Sequence, residues 1–338
     1  TCVSDAEPGL PSGKEHAVRK TESMIETIEG SWLSPSAIQN YVDCPMRFYY
    51  YSVAKLKKEK EVAEVMDPAM IGNVYHNTMW ALFVSEEEMM SDIVYDKRAK
   101  KPDFMKVVTA AYLRSWENRE ADVRRKVESL IRSELGTDEI TGRNLVVVSV
   151  IVRYVMETIR CDIELLNSYG ADHFEILGLE EPLDAWLYGL KFYGVADRID
   201  RIGGTGNVRL VDYKSGKDDP SVLMAGGDAA RDAAEAVFSP EKEVRKKVKA
   251  GLQFYIYDRM LCEKKMASMG SISNSMYATA GLFSEVPRVC PLDSRFADEM
   301  EVRLEKVINE IRDPEVPFVM TKDEGHCEWC DFRMICGR

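Results

Sequence analysis

"GVADRIDRIGGTGNVRLVDYKSGK", residues 194–217, holds two segments of alternating apolar and polar residues separated by a glycine-rich run. The β-branched residues favour extended chain, and the glycines supply the turn chemistry of a hairpin. A turn over Gly203–Gly206 sets Ile202 opposite Asn207. In that register Ile199 opposes Leu210, and Asp200 opposes Arg209 in a favourable cross-strand charge pair. The same register presses Asp197 against Asp212, with Cβ atoms about 5 Å apart. Lys214, two residues on, shares the Asp212 face. Facing carboxylates repel unless a cation lies between them. Lys214 alone, at a solvated strand end, is one way to balance them; a bound divalent ion is the other. Leu210 and Val211, just before Asp212, speak against a solvated end, so the pattern predicts a metal site. Hard carboxylate oxygens suit Mg2+ or Mn2+, ions that activate water and neutralise charge in phosphoryl transfer. Lys214 would then orient the attacking water or stabilise the pentavalent phosphate.

Outward from this hairpin the chain divides by texture. Residues 1–31 are polar and read as a flexible tail without the apolar stretch of a signal peptide. Ser34-Pro35 is an N-cap and N1 pair opening an aromatic-rich helix that runs through Cys44. Residues 72–90 and 104–168 carry helical spacing, so residues 32–170 form a mainly helical region. Strands are expected over FEILGLEEPL (174–183), DAWLYGLKFYGVADRIDRI (184–202) and NVRLVDYK (207–214). Residues 216–240, rich in Gly, Asp and Ala, read as a loop. A helix follows over KAGLQFYIYDRML (249–261), then a strand around SMYATAGLF (275–283) and an amphipathic helix over FADEMEVRLEKVINEIR (296–312). The hairpin is antiparallel and a helix precedes the later strand, which predicts a mixed sheet in an α/β or α+β protein. A core over residues 171–318 is then followed by a cysteine-rich cap, 319–338.

The chain of 338 residues is 45% hydrophobic and has a net charge of −12, which argues against a generic nucleic-acid coat but not against a local basic channel. The basic clusters Lys97–Lys101, Arg124–Lys126 and Arg245–Lys249 read as solvated helix faces. No apolar run reaches the roughly 20 residues of a membrane span. "GLPSGKEH" is not a phosphate-binding loop: its spacing is wrong, and Glu15 stands where a magnesium-binding hydroxyl belongs.

The eight cysteines of a chain with no secretion signal do not form a disulfide framework, and a cytoplasmic location is expected. Cys327, Cys330 and Cys336 have metal-ligand spacing and need a fourth partner. Cys2, Cys161, Cys262 and Cys290 show no pattern.

"GVADRID" followed by "VDYKSGK" resembles the catalytic core of the PD-(D/E)xK nucleases, in the branch containing RecB, the AddA and AddB nuclease domains and the CRISPR-associated iron–sulfur exonucleases. Asp197 matches the first acidic position, and Asp212-Tyr213-Lys214 matches D/E-x-K. "IGNVYH" supplies Gly72 and the metal-contacting His76, and "LQFYIY" supplies the Gln253 and Tyr257 of a Q-x3-Y pair. Glu180 or its neighbour Glu181 fits a further acidic position. The resemblance implies a restriction-endonuclease-like or lambda-exonuclease-like core, a central mixed sheet flanked by helices. Asp197, Asp212, His76 and the Tyr213 carbonyl would hold Mg2+ or Mn2+, with Gln253 and Tyr257 supporting the phosphate or the lysine. It also implies that Cys44, in "YVDCPMRFYY", joins Cys327, Cys330 and Cys336 in a [4Fe–4S] cluster. Zn2+ with His326 or Cys44 as fourth ligand is the competing assignment. The implied activity is DNA exonuclease action on single-stranded ends, within an AddB-like helicase–nuclease of DNA repair and recombination. Its partner would be a helicase subunit or a helicase-like region N-terminal to this chain; the missing initiator Met is in keeping with an excised domain. A catalytically silent module that binds DNA or a partner is the alternative function.

Overall fold

The computed structural model describes residues 17–57, 64–92, 103–216, 225–279, 281–283 and 289–338. Its centre is the predicted hairpin. β5 (Leu190–Ile202) and β6 (Val208–Lys214) pair antiparallel through Arg198↔Val211, Ile199↔Leu210 and Asp200↔Arg209, the register read from the sequence. Gly204, at φ +79°, supplies the left-handed residue of the turn. β6 is buried along nearly its whole length, as befits a strand covered on both faces. It pairs parallel with β7 (Ile272–Ala278), and β4 (His173–Leu187) flanks β5 antiparallel. β3 (Val107–Thr109) extends the sheet beyond β4, and the two-residue β2 (Trp32–Leu33) runs parallel to the start of β5. The sheet is mixed, as expected.

Two apolar layers sandwich it. One side packs α2 (Pro35–Asp43), α9 (Asp228–Val237), α11 (Ala250–Glu263) and α12 (Ser294–Arg312) over Phe192, Ala196, Ile199 and Leu210. The other packs α4 (Pro68–Val84), α7 (Glu120–Leu135) and α8 (Arg143–Ser168) over Phe174, Val211, Tyr213 and Tyr277. Each large apolar side chain buried this way contributes roughly 1.5–3 kcal/mol. The second layer also encloses a charged network. Arg198 forks onto Asp162 with bonds of 2.8 and 2.9 Å and reaches the Tyr213 hydroxyl at 2.9 Å, while Arg209 forks onto Asp200 with two bonds of 2.7 Å. Pairing each charge with an opposite one makes four buried charges tolerable, even with Arg209 Nη1 left without an acceptor.

Local chemistry explains the helix starts that matter for the site. Ser34 caps α2 by accepting from the Ala37 amide, with Pro35 at N1, and Asp67 caps α4 from the Met70 amide. Gly72 lies where α4 crosses the end of β6: an added Cβ would sit 2.7 Å from Ser215 Oγ.

Several expectations are corrected. The N-terminal segment is structured from Ala17: β1 (Ala17–Val18) pairs with β8 (Phe318–Val319), and α1 (Glu22–Gly30) is capped by Thr21. The helix through Cys44 stops at Asp43; a short α3 (Pro45–Phe48) and a π-turn (Tyr49–Val53) follow, because Pro45 lacks the amide to continue it. Residues 184–202 are not one strand. Tyr188 (φ +53°) and Gly189 (φ +79°) form a tight turn, so β4 runs through Leu187 and β5 returns alongside it. Residues 228–237 of the expected loop are helix α9, whereas residues 217–224 lie outside the described residues. Among the basic clusters, Lys97–Lys101 also lies outside them. Lys126 and Arg245 are buried: Lys126 donates to the Glu88 and Ser91 carbonyls, and Arg245 pairs with Asp43. No helix among the described residues is long and apolar enough to cross a membrane.

Candidate active site

Glu180, Asp197 and Asp212 come from three adjacent strands. Glu180 and Asp197 fall between the Leu179↔Arg198 and Glu181↔Ala196 pairs of β4 and β5, and Asp212 lies one step beyond Arg198↔Val211 on β6. The alternation of β4 is broken here, by an irregularity between Ile176 and Gly178 and by Glu180 itself at φ +46°. The structure thereby settles what the sequence left open. Glu180, not Glu181, shares a cluster with Asp197 and His76, their ligand atoms all within 4.8 Å of one another.

His76 reaches the site from α4, one turn after Gly72, with Nδ1 3.5 Å from Asp197 Oδ2. That oxygen also accepts the Tyr213 amide at 2.8 Å. The Tyr213 ring packs in the same layer as α4, 5.9 Å from the His76 ring, and its hydroxyl accepts from Arg198. Asp212 is engaged differently. Lys214 Nζ donates to its Oδ1 at 3.1 Å, Gln253 Nε2 donates to the same oxygen at 2.8 Å, and Gln253 Oε1 accepts from Lys214 at 2.8 Å. Asp212, Lys214 and Gln253 thus close a hydrogen-bonded triangle. Tyr257, one turn further along α11, does not join it. Its hydroxyl donates to the Val195 carbonyl at 3.0 Å and its ring fills the space under Gly194, where a Cβ would fall 2.3 Å from the ring. Through these contacts Tyr257 holds β5 to α11.

The electrostatics follow from this packing. Burial pushes Asp212 up to about 6; Lys214 opposes that rise and Asp197 adds to it. Desolvation acts on the half-buried Asp197 in the same direction, but His76, the Tyr213 amide and Lys214 together bring it below the ordinary carboxylate value. Burial works against charging His76, yet Asp197, backed by Asp212 and Glu180, lifts it above the ordinary imidazole value. Negative charge is concentrated here beyond what local cations settle. Asp212 Oδ2 is buried and 3.0 Å from Nζ, yet takes no hydrogen bond of its own. An orphaned carboxylate oxygen beside two more carboxylates and one imidazole is a donor set that fits a hard divalent cation such as Mg2+ or Mn2+. Asp197, Glu180 and His76 already converge. Asp212, which the sequence placed among the ligands, is instead turned toward Lys214 and Gln253.

The second predicted constellation shares no lining residue with this site. Cys44, Cys327, Cys330 and Cys336 line one pocket together with Arg47, Tyr50 and Arg338. The Thr321 amide donates to Cys44 Sγ at 3.3 Å and Arg338 Nη1 to Cys327 Sγ at 3.5 Å. Burial raises the Cys330 and Cys336 thiols. Both His326 nitrogens have partners elsewhere, Nδ1 3.2 Å from Asp43 and Nε2 3.0 Å from the Pro240 carbonyl. The tail is anchored by Phe332, whose ring lies 4.8 Å from Tyr50 and 4.6 Å from Tyr51. Cys161 is buried and Cys262 and Cys290 are partly so, all apart from this pocket.

A mixed sheet flanked by helices, with acidic residues and a lysine meeting where its central strands part, defines a restriction-endonuclease-like fold. The chain belongs to the PD-(D/E)XK nuclease superfamily, whose family model matches residues 32–337. A search of the curated proteins returned no match. Membership implies nuclease activity on DNA, in a superfamily that uses divalent metals.

Proposed function

We propose that this chain is a Mg2+- or Mn2+-dependent DNA exonuclease acting on single-stranded ends, the nuclease part of an AddB-like helicase–nuclease of DNA end processing and recombinational repair. The observation that carries the catalytic reading is the Asp212–Lys214–Gln253 triangle set against the His76–Glu180–Asp197 cluster. A half-buried ammonium fixed by one carboxylate and one neutral amide oxygen is preorganised for the extra negative charge of a pentavalent phosphate. Asp197, Glu180, His76 and, once released from one lysine contact, Asp212 would hold the metal. When bound, that ion lowers the pKa of water and screens the phosphate oxygens. Lys214 orients the attacking water, and Gln253 keeps Lys214 in place. Tyr213 holds Asp197 through its amide, and Tyr257 holds the strand.

The exonuclease and helicase-partner assignments rest on the resemblance of the Gly72–His76, Asp197, Asp212–Lys214 and Gln253–Tyr257 motifs to that branch. For the cysteines we favour a [4Fe–4S] cluster over zinc. Four cysteines line one pocket flanked by arginines, whose charge suits an anionic cluster, and the engagement of His326 disfavours only the histidine-ligated form of a zinc site. A structural role fits best: the cluster would tie Cys44 to the C-terminal segment beside the β1–β8 pair. The test is digestion of end-labelled linear DNA against closed circular DNA with Mn2+. Wild-type protein should degrade only the linear form, and Asp212→Ala should degrade neither; cutting of circles at a similar rate would contradict an exonuclease.

A further inference from the structure

The distal half of the β4–β5 ribbon buries one face and bares the other. Leu183, Ala185, Leu187, Leu190 and Phe192 enter the core, while Trp186 and Tyr193 are 62% and 43% exposed. Trp186 pairs with Lys191, which also pairs with Trp32 on β2, itself 54% exposed. Lys191 Nζ lies 5.3 Å from the Trp186 ring and 5.9 Å from the Trp32 ring. Three adjacent strands therefore present a row of indole, ammonium and indole to solvent. The same outward phase of β5 continues through Tyr193 and Val195 to Asp197, six residues or about 20 Å from Lys191. Beyond Trp32 the surface opens into a cavity of about 840 Å3 whose walls include Tyr51, Lys55 and Lys57. Among the described residues lining it none is acidic, in a chain of net charge −12. Asp184, opposite Tyr193, is ion-paired to Lys264 at 2.9 Å.

We propose that a single strand of nucleic acid, extending from the Asp197–Asp212 site, lies along this outer face and stacks its bases on Trp186 and Trp32, its phosphates passing Lys191, Lys55 and Lys57. Flat exposed indoles with interleaved lysines match the two faces of a single strand, an aromatic base and an anionic backbone. Continuity with the carboxylate cluster sets where the strand leads. The inference deepens the nuclease reading and rests on it.

The test is fluorescence anisotropy of a labelled oligo(dT) of about 20 nucleotides with the full chain in EDTA, so that no hydrolysis intervenes. Trp186→Leu and Trp32→Leu should each weaken binding roughly five- to a hundredfold, the loss of one stacked base, and Trp186→Tyr should retain most of the affinity. Unchanged affinity for the oligonucleotide in both leucine variants assigns the face to a protein partner and overturns the proposal. Equal loss in Trp186→Tyr and Trp186→Leu overturns stacking. Absence of Mn2+-dependent cleavage in wild type would count against the nuclease reading alone, because binding is read without metal.

Discussion

Gln253 and Lys214 hold the same carboxylate oxygen: Nε2 and Nζ both donate to Asp212 Oδ1, at 2.8 and 3.1 Å, and bond each other at 2.8 Å. One helix residue therefore fixes both the carboxylate and the ammonium of the D/E-x-K motif. With Gln253→Ala the ammonium loses an anchor but keeps its contact with Asp212. We expect kcat to fall roughly 10- to 100-fold with KM little changed, the size of effect typical of residues that orient others. Lys214→Ala should remove activity entirely. Steady-state kinetics on linear DNA distinguish the two, and equal loss in both variants would mean that Gln253 does more than position.

The four cysteines carry a spectroscopic prediction. Protein purified without oxygen should be brown and absorb near about 400 nm. Cys44→Ala or Cys330→Ala should bleach it and lower the melting temperature, since metal binding and folding are coupled. Cys262→Ala, outside the pocket, should do neither. A colourless wild type containing stoichiometric zinc would refute the cluster.

Asp258 gives a pH dependence of stability. It is buried on α11, its one hydrogen bond comes from Asn274 Nδ2 at 3.0 Å, and both its Oδ1 and Asn274 Oδ1 lack donors. Burial pushes its carboxyl up to about 8. The folded pKa lies above the unfolded one, so folding takes up a proton between about pH 4 and 8. The stabilisation is full below about pH 4 and is lost as the pH rises through about 8. Asp258→Asn removes that dependence, so its advantage in melting temperature over wild type should grow from pH 5 to pH 9. Parallel melting curves would show that Asp258 ionises freely.

The hairpin register was legible because its signals agree: three glycines, the Asp200–Arg209 complement and the apolar pair Ile199–Leu210 all select one alignment. The cysteine convergence was legible only through resemblance, since spacing alone leaves the fourth ligand open. The Glu180 assignment was not legible. Period-two alternation identifies faces in regular strands, and β4 is irregular just where Glu180 takes a positive φ. Tyr188–Gly189 lacks the Asn-Gly or Asp-Gly signature of its turn, so two strands read as one. Lys126 and Arg245 looked like surface charge because their partners, Glu88 and Asp43, are 38 and 202 residues away. The packing of the Tyr257 ring under β5 was not legible either, because it depends on the missing side chain of Gly194, 63 residues away.

The whole account turns on whether a cation settles among carboxylates contributed by neighbouring strands. Crystals soaked in MnCl2 and measured at the manganese edge answer this directly. An anomalous peak in contact with oxygens of both Asp197 and Asp212, and gone in Asp197→Asn, is the predicted result; a map empty at that position under saturating Mn2+ would contradict it.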